Sequence, residues 1–182
     1  YAHIEQMEEL RAKRMFENPY AYADEQYESS QVGGVRQKSH SLSFIEEAAT
    51  ELQRRLWKSR MEFGISVDAS PIEVLDTEYA AKILGYRFAS LPSLGWMKQG
   101  RGRTAVAGLI NNEERVIQVA SDIELPIARF TGAHEIGHAV LHQGLTGLHR
   151  DRPLTAATGH RNRVEYEADK FAAYFLMPVN LA

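Results

Sequence analysis

The chain has 182 residues, 44% of them hydrophobic and 25% charged, with a formal net charge of -3 and no cysteine. This suits one globular domain with a sizeable core, or a small domain with an appendage. It excludes disulfides and thiolate metal ligands, gives no basic surface for a nucleic acid, and leaves no apolar run near the ~20 residues of a membrane-spanning helix. With no secretory signal visible after Tyr1, a cytoplasmic location is expected.

Residues 1–18 are expected to be helical, with Ile4, Met7, Leu10 and Met15 spaced among Glu and Lys. The stripe is thin, so this helix reads as peripheral or partner-facing. From Glu17 to His40 the sequence turns polar, with Asn18-Pro19, Ser29-Ser30 and Gly33-Gly34, and reads as a linker. A division is therefore expected between an N-terminal helix with its linker, 1–40, and a main domain, 41–182.

The first strong helix is expected over Phe44–Met61, with a capping box from Ser43 and Glu46 and a stop at Gly64. A short helix over Asp76–Leu84 ends at Gly85. Tyr86–Leu91 carries a strand signal. Thr104–Ile110 and Arg115–Ala120 flank the turn Asn111-Asn112-Glu113-Glu114, which predicts a hairpin over residues 104–120. The loop Lys98–Arg103 has glycines and basic residues but lacks the strand–loop–helix setting of a phosphate cradle, so it reads as a hairpin end. A helix over Pro126–His142 follows, with Ile127, Phe130, Ala133, Gly137 and Leu141 as its core stripe. Residues 143–160 read as a loop, and a last helix runs from Asn162 to just before Pro178. Together these elements point to an α+β fold, mostly helical, with a small antiparallel three-stranded sheet beside the Pro126–His142 helix.

That helix carries His134-Glu135-Ile136-Gly137-His138, an H-E-x-x-H string. Four helical residues advance about 400°, so both imidazoles point the same way and can share one zinc ion. Glu135 sits beside that position, where a carboxylate can take a proton from an attacking water. Gly137 in mid-helix lets another backbone approach, either bound substrate or a packed neighbour.

A catalytic zinc needs a third protein ligand. A histidine six residues after His138 is ruled out, because that position is Gly144. His142 reads as a helix-end residue favoured by the dipole; His149 and His160 fall on the loop. Glu165 and Asp169 lie four apart on one helical face, so Glu165 is the preferred ligand and Asp169 the acceptor that orients a ligand histidine. Glu167 is the weaker choice, about 200° round from Glu165. His149, His160, Tyr166 and the loop arginines are open choices for stabilising an oxyanion.

Ala128-Arg129-Phe130-Thr131-Gly132-Ala133-His134-Glu135-Ile136-Gly137-His138-Ala139-Val140-Leu141-His142 and Glu165-Tyr166-Glu167-Ala168-Asp169-Lys170-Phe171-Ala172-Ala173-Tyr174-Phe175-Leu176-Met177-Pro178 resemble the ImmA/IrrE family of bacterial zinc metallopeptidases over roughly residues 43–178. The resemblance implies a zincin-like core of the glutamate-zinc type, with His134, His138 and Glu165 as ligands and Glu135 as base. It makes 41–182 a metallopeptidase domain and its substrate a protein, a helix-turn-helix transcriptional repressor cut in a stress or mobile-element response. Gly132 departs from the larger apolar residue common in the family. The alternative is a non-catalytic metal-binding regulator that acts by holding a partner. A DNA-binding regulator is opposed by the acidic charge and the lack of a basic recognition helix.

Overall fold

The computed structural model describes residues 39–99, 101–144, 148–151 and 163–178. The expected helix at 1–18, nearly all of the linker, and much of the 143–160 loop with His160 lie outside these residues.

Helix α1 spans Leu42–Ser59 and continues as a 3-10 turn over Arg60–Phe63 that Gly64 ends with φ 72°. Its N-cap is Ser41, whose hydroxyl accepts from the Phe44 N–H at 3.2 Å; Ser43, the expected cap, lies inside the first turn. The cause lies upstream. The His40 N–H donates to Glu167 and its ring bonds the Leu141 carbonyl, so the chain is already fixed there and Ser41 is the last extended residue. α1 buries Ile45, Ala49, Leu52, Gln53 and Leu56.

A short helix, α2 (Pro71–Val74), precedes α3 (Thr77–Ile83), whose first turn is capped by the Asp76 carboxylate. Glu73 reaches back to the Ser70 N–H and hydroxyl at 2.6 and 2.9 Å, a capping box that Ser70-x-x-Glu73 encodes. Gly85, φ 80°, stops α3 as its position suggests.

Among the described residues six strands follow: β1 Arg87–Leu91, β2 Trp96–Gln99, β3 Gly102–Ala105, β4 Gly108–Asn111, β5 Val116–Ala120 and, after helix α4 (Leu125–Leu141), β6 Leu148–Asp151. β2 and β3 form a separate antiparallel hairpin, and the other four make a sheet in the order β1-β5-β4-β6. The β4–β5 hairpin pairs Gly108 with Val119 through Asn111 with Val116, within the expected 104–120 span.

The α+β class holds, but the sheet differs from three antiparallel strands in two ways. β1 runs parallel to β5, from Arg87↔Val116 to Leu91↔Ala120. A parallel pair needs a crossover connection, and the β2–β3 hairpin with β4 supplies it. The apolar run Thr104–Ile110 is accordingly split: Thr104 and Ala105 pair with β2, Val106 and Ala107 turn the chain, and β4 begins at Gly108. The expected 143–160 loop also contains β6, which pairs antiparallel with β4 from Gly108↔Asp151 to Asn111↔Leu148.

The last helix, α5 (Arg163–Leu176), packs against α4 and α1. The buried side chain of Gln53 donates to the Tyr174 and Phe175 carbonyls at 2.8 and 2.9 Å, satisfying the orphan C-terminal acceptors of α5. Phe171, Phe175, Ile45, Leu56, Ile117 and Ile136 are fully buried and centre the core. α4 lies between sheet and helices, against β4, β5, α3 and α5, so every residue from Thr131 to Ala139 is buried. That replaces the expected one-sided stripe. No helix among the described residues is long and apolar enough to cross a membrane.

Candidate metal centre

The site grows from the buried stretch Thr131–Ala139 of α4. On α4, His134 and His138 stand one turn apart, 4% and 0% exposed, with their Nε2 atoms 3.0 Å from each other. Burying two imidazoles is unfavourable unless their nitrogens are occupied, and α5 supplies the partners. Glu165 Oε2 lies 3.3 Å from His134 Nε2, and Oε1 lies 3.6 Å from His138 Nε2. The ligand atoms of these three residues all fall within 4.8 Å of one another. A tetrahedral ion with bonds of 2.0–2.1 Å has ligand–ligand edges of about 3.3–3.4 Å. The 3.0 Å between the two imidazole nitrogens and the 3.3 Å from His134 to Glu165 Oε2 are close to that edge, and two imidazoles with one carboxylate are a donor set that suits zinc.

Asp169, one turn beyond Glu165, places Oδ1 2.9 Å from His134 Nδ1. With His134 Nδ1 protonated and donating to this carboxylate, its Nε2 lone pair faces Glu165 and His138. Lys170, half-buried beside it, has its ammonium pushed down by burial and pushed up by the Asp169 charge, with burial prevailing.

Glu135 is fully buried. It stands against strand β4 at Gly108, where a methyl group would meet the Glu135 carboxylate directly and the Thr131 Cγ2 at 2.7 Å. The glycine in this strand is therefore a matter of space, because it lets the carboxylate stand between helix and sheet. The other two helix glycines are filled differently. Gly137 meets the Ala168 backbone and Phe171, so the approaching chain is α5 and packing explains this glycine; Gly132 meets the Thr77 side chain. Thr77 thus occupies the space beside Gly132 where a larger family residue would stand.

A second chain of contacts reaches the cluster from the other side. His138 Nδ1 lies 3.0 Å from His142 Nδ1, and His142 Nε2 lies 3.1 Å from Glu167 Oε2. Glu167 Oε1 accepts from Arg163 Nε at 2.9 Å and from the His40 N–H at 3.0 Å. His142 and Glu167 are 2% and 3% exposed. Burial pushes the Glu167 carboxyl up, but the bonds from His142, the His40 N–H and Arg163 outweigh it and hold the group below its ordinary value. His142 is the C-cap of α4, at the helix end as expected, but it is buried and bonded to His138 and Glu167, and Glu167, the weaker ligand choice, serves His142 instead. The sequence carried half of this signal, because His142 continues the His134, His138 spacing by another turn; that Glu167 faces it depends on how α5 packs on α4.

Of the expected site residues, the structure brings His134, His138, Glu165 and Asp169 together; Glu135, next to His134 on α4, is buried against Gly108, and Glu167 bonds His142. The backbone of His149 lies in β6, paired with Ile110. Tyr166 is half-buried on α5 with the Lys170 ammonium 5.4 Å from its ring centroid.

A family model described as the IrrE N-terminal-like domain, peptidase M78, matches residues 82–180, more than half of the chain. No curated protein matches it.

Proposed function

Because the chain belongs to the IrrE N-terminal-like family of metallopeptidases, we propose that it is a zinc-dependent endopeptidase with His134, His138 and Glu165 as ligands and Glu135 as its general base. The convergence of two imidazoles and one carboxylate beside a second, buried carboxylate carries this reading. Zinc bound there supplies Lewis acidity, which polarises the scissile carbonyl and makes water acidic enough to attack near neutral pH.

The protein's own groups do the rest. Glu135 accepts a proton from the attacking water as the new C–O bond forms. It then delivers that proton to the amide nitrogen as the C–N bond breaks, releasing a carboxylate and an amine. Its carboxylate lies between helix and sheet, where the absence of a side chain at Gly108 leaves it room. Asp169 keeps His134 in the tautomer that presents Nε2.

The resemblance of the two helical motifs to the ImmA/IrrE family supports a helix-turn-helix repressor as the protein substrate. It also supports action in the cytoplasm, within a stress or mobile-element response. The acidic chain then acts on the repressor and not on its DNA.

The test is to identify the reading frame beside this chain's gene and, where it encodes a helix-turn-helix repressor, to assay cleavage of that protein. Wild-type protein with one zinc per chain is expected to cut it. Glu135→Gln should retain the zinc and lose at least about 10³-fold in kcat, the upper range for a positioned acid–base group. Full cleavage by Glu135→Gln would remove the assignment of the base.

A further inference from the structure

We infer that His142 and Glu167 are positioning residues for His138: the Glu167 carboxylate sets the tautomer of His142, and His142 holds the His138 ring with Nε2 toward the metal. The inference rests on the reading of His134, His138 and Glu165 as metal ligands and adds the means by which the second histidine is oriented.

A histidine that binds metal through Nε2 carries its proton on Nδ1. His138 Nδ1 has His142 Nδ1 at 3.0 Å, so His142 must offer a lone pair there, and its own proton must be on Nε2. That nitrogen faces Glu167 Oε2 at 3.1 Å, an acceptor. Each donor meets an acceptor in only this arrangement. A doubly protonated His142 would set one N–H against another at Nδ1, as would the opposite neutral tautomer.

Glu167 in turn is fixed by two donors on its other oxygen, Arg163 Nε and the His40 N–H. The two metal-facing histidines are thus held unequally. His134 meets a carboxylate directly at 2.9 Å, whereas His138 reaches one through a neutral imidazole. All members of the chain are buried except Arg163 and His40, which are partly exposed.

Glu167→Gln tests this with little change of shape. The two donors at Oε1 demand an oxygen, so the amide turns its NH2 toward His142 Nε2. His142 must then accept there, which moves its proton to Nδ1, opposite the Nδ1 proton of His138.

Long-range 1H–15N NMR of the zinc-loaded, 15N-histidine-labelled full chain reads both tautomers directly. The wild type is expected to show His138 protonated at Nδ1 and His142 protonated at Nε2. In Glu167→Gln, His142 is expected to move to the Nδ1-protonated form. Zinc affinity, measured by chelator competition, should fall about 10–100-fold, as for other groups that orient metal ligands. The visible absorption of the cobalt-substituted protein should shift as well.

A wild-type His142 protonated at Nδ1 overturns the inference without any substitution being needed. So does unchanged zinc affinity with an unchanged cobalt spectrum in Glu167→Gln, while wild-type protein takes up one zinc. Failure of the wild type to bind zinc at all would instead overturn the metal-site reading beneath it.

Discussion

Gly108 leaves the β4 backbone against the Glu135 carboxylate with no room for a methyl group. An added Cβ would stand 3.1 Å from Glu135 Cδ and 2.7 Å from Thr131 Cγ2, so something has to shift. Glu135 is the more free to move, because its carboxylate ends a flexible side chain while Thr131 is branched at Cβ. Gly108→Ala is therefore expected to displace the base and leave His134, His138 and Glu165 in place. A displacement of about 1 Å lowers turnover on the order of 10²-fold. The measurement is kcat beside zinc affinity, and a parallel fall in both would place the damage in the metal cluster instead.

At this scale the sequence exposed what depends on local spacing. His134 and His138 share a helical face because they are four apart, as do Glu165 and Asp169. It did not expose Gly108, whose importance depends on which strand lies over Glu135. Nor did it expose the partner of His142, because pairing His142 with Glu167 requires the register between two helices.

Among the elements, the α4–α5 contact sets that register, and Gly137 sits where α4 meets Ala168 and Phe171 of α5. A methyl group at Gly137 would lie 3.1 Å from both the Cα and the carbonyl oxygen of Ala168 and 3.2 Å from Phe171 Cβ. Two of those atoms are backbone, so the helices themselves must separate. Ala gains about 1 kcal/mol over Gly in helix propensity, but overpacking costs roughly 1–3 kcal/mol. Gly137→Ala is expected to lose about 1 kcal/mol net and to weaken zinc binding by moving Glu165 outward.

Gly132→Ala makes the internal comparison. Its nearest neighbours, at 3.0–3.1 Å, are Oγ1, Cβ and Cγ2 of Thr77 at the start of α3, so the short helix α3 has to give by a few tenths of an ångström while α5 is untouched. The gain of about 1 kcal/mol in helix propensity roughly offsets that shift, so the net change in stability should be small and zinc binding unchanged. Urea denaturation with and without zinc separates the two variants, and equal stability for both would remove the close α4–α5 contact as their explanation. Helices α1, α3, α4 and α5 were legible to within a few residues from periodicity and caps, whereas the four-residue α2 was not expected. The cap of α1 was not, because choosing Ser41 over Ser43 depends on the distant contacts of His40 with Glu167 and Leu141.

For the molecule as a whole, the parallel β1–β5 pair and the edge strand β6 show where reading the sequence stops. Strands of four or five residues carry a face pattern but no record of partner or direction. Leu148-His149-Arg150-Asp151 lacks even an apolar alternation. The consequence is functional, because β4 with Gly108 is held between β5 and β6, and α4 is held between that sheet and α5. The candidate metal cluster therefore bridges two helices whose facing surfaces are polar at His134, His138, Glu165 and Asp169.

Burying those groups together is costly without a cation to satisfy them, and a bound ion joins α4 to α5 only in the folded chain. Binding confined to the folded state stabilises by about 4.1 kcal/mol at free zinc 1,000 times the dissociation constant. A chain of this size moves about 2–4 °C in Tm per kcal/mol. Chelation should therefore lower Tm by roughly 10 °C relative to zinc-saturated protein, followed by far-UV circular dichroism. Glu135→Gln should keep this zinc-dependent shift, since Glu135 holds no ligand position in the cluster, and His138→Ala should lose it. A Tm that ignores chelator would mean that no metal joins these helices. A shift retained in His138→Ala would place the ion elsewhere in the chain.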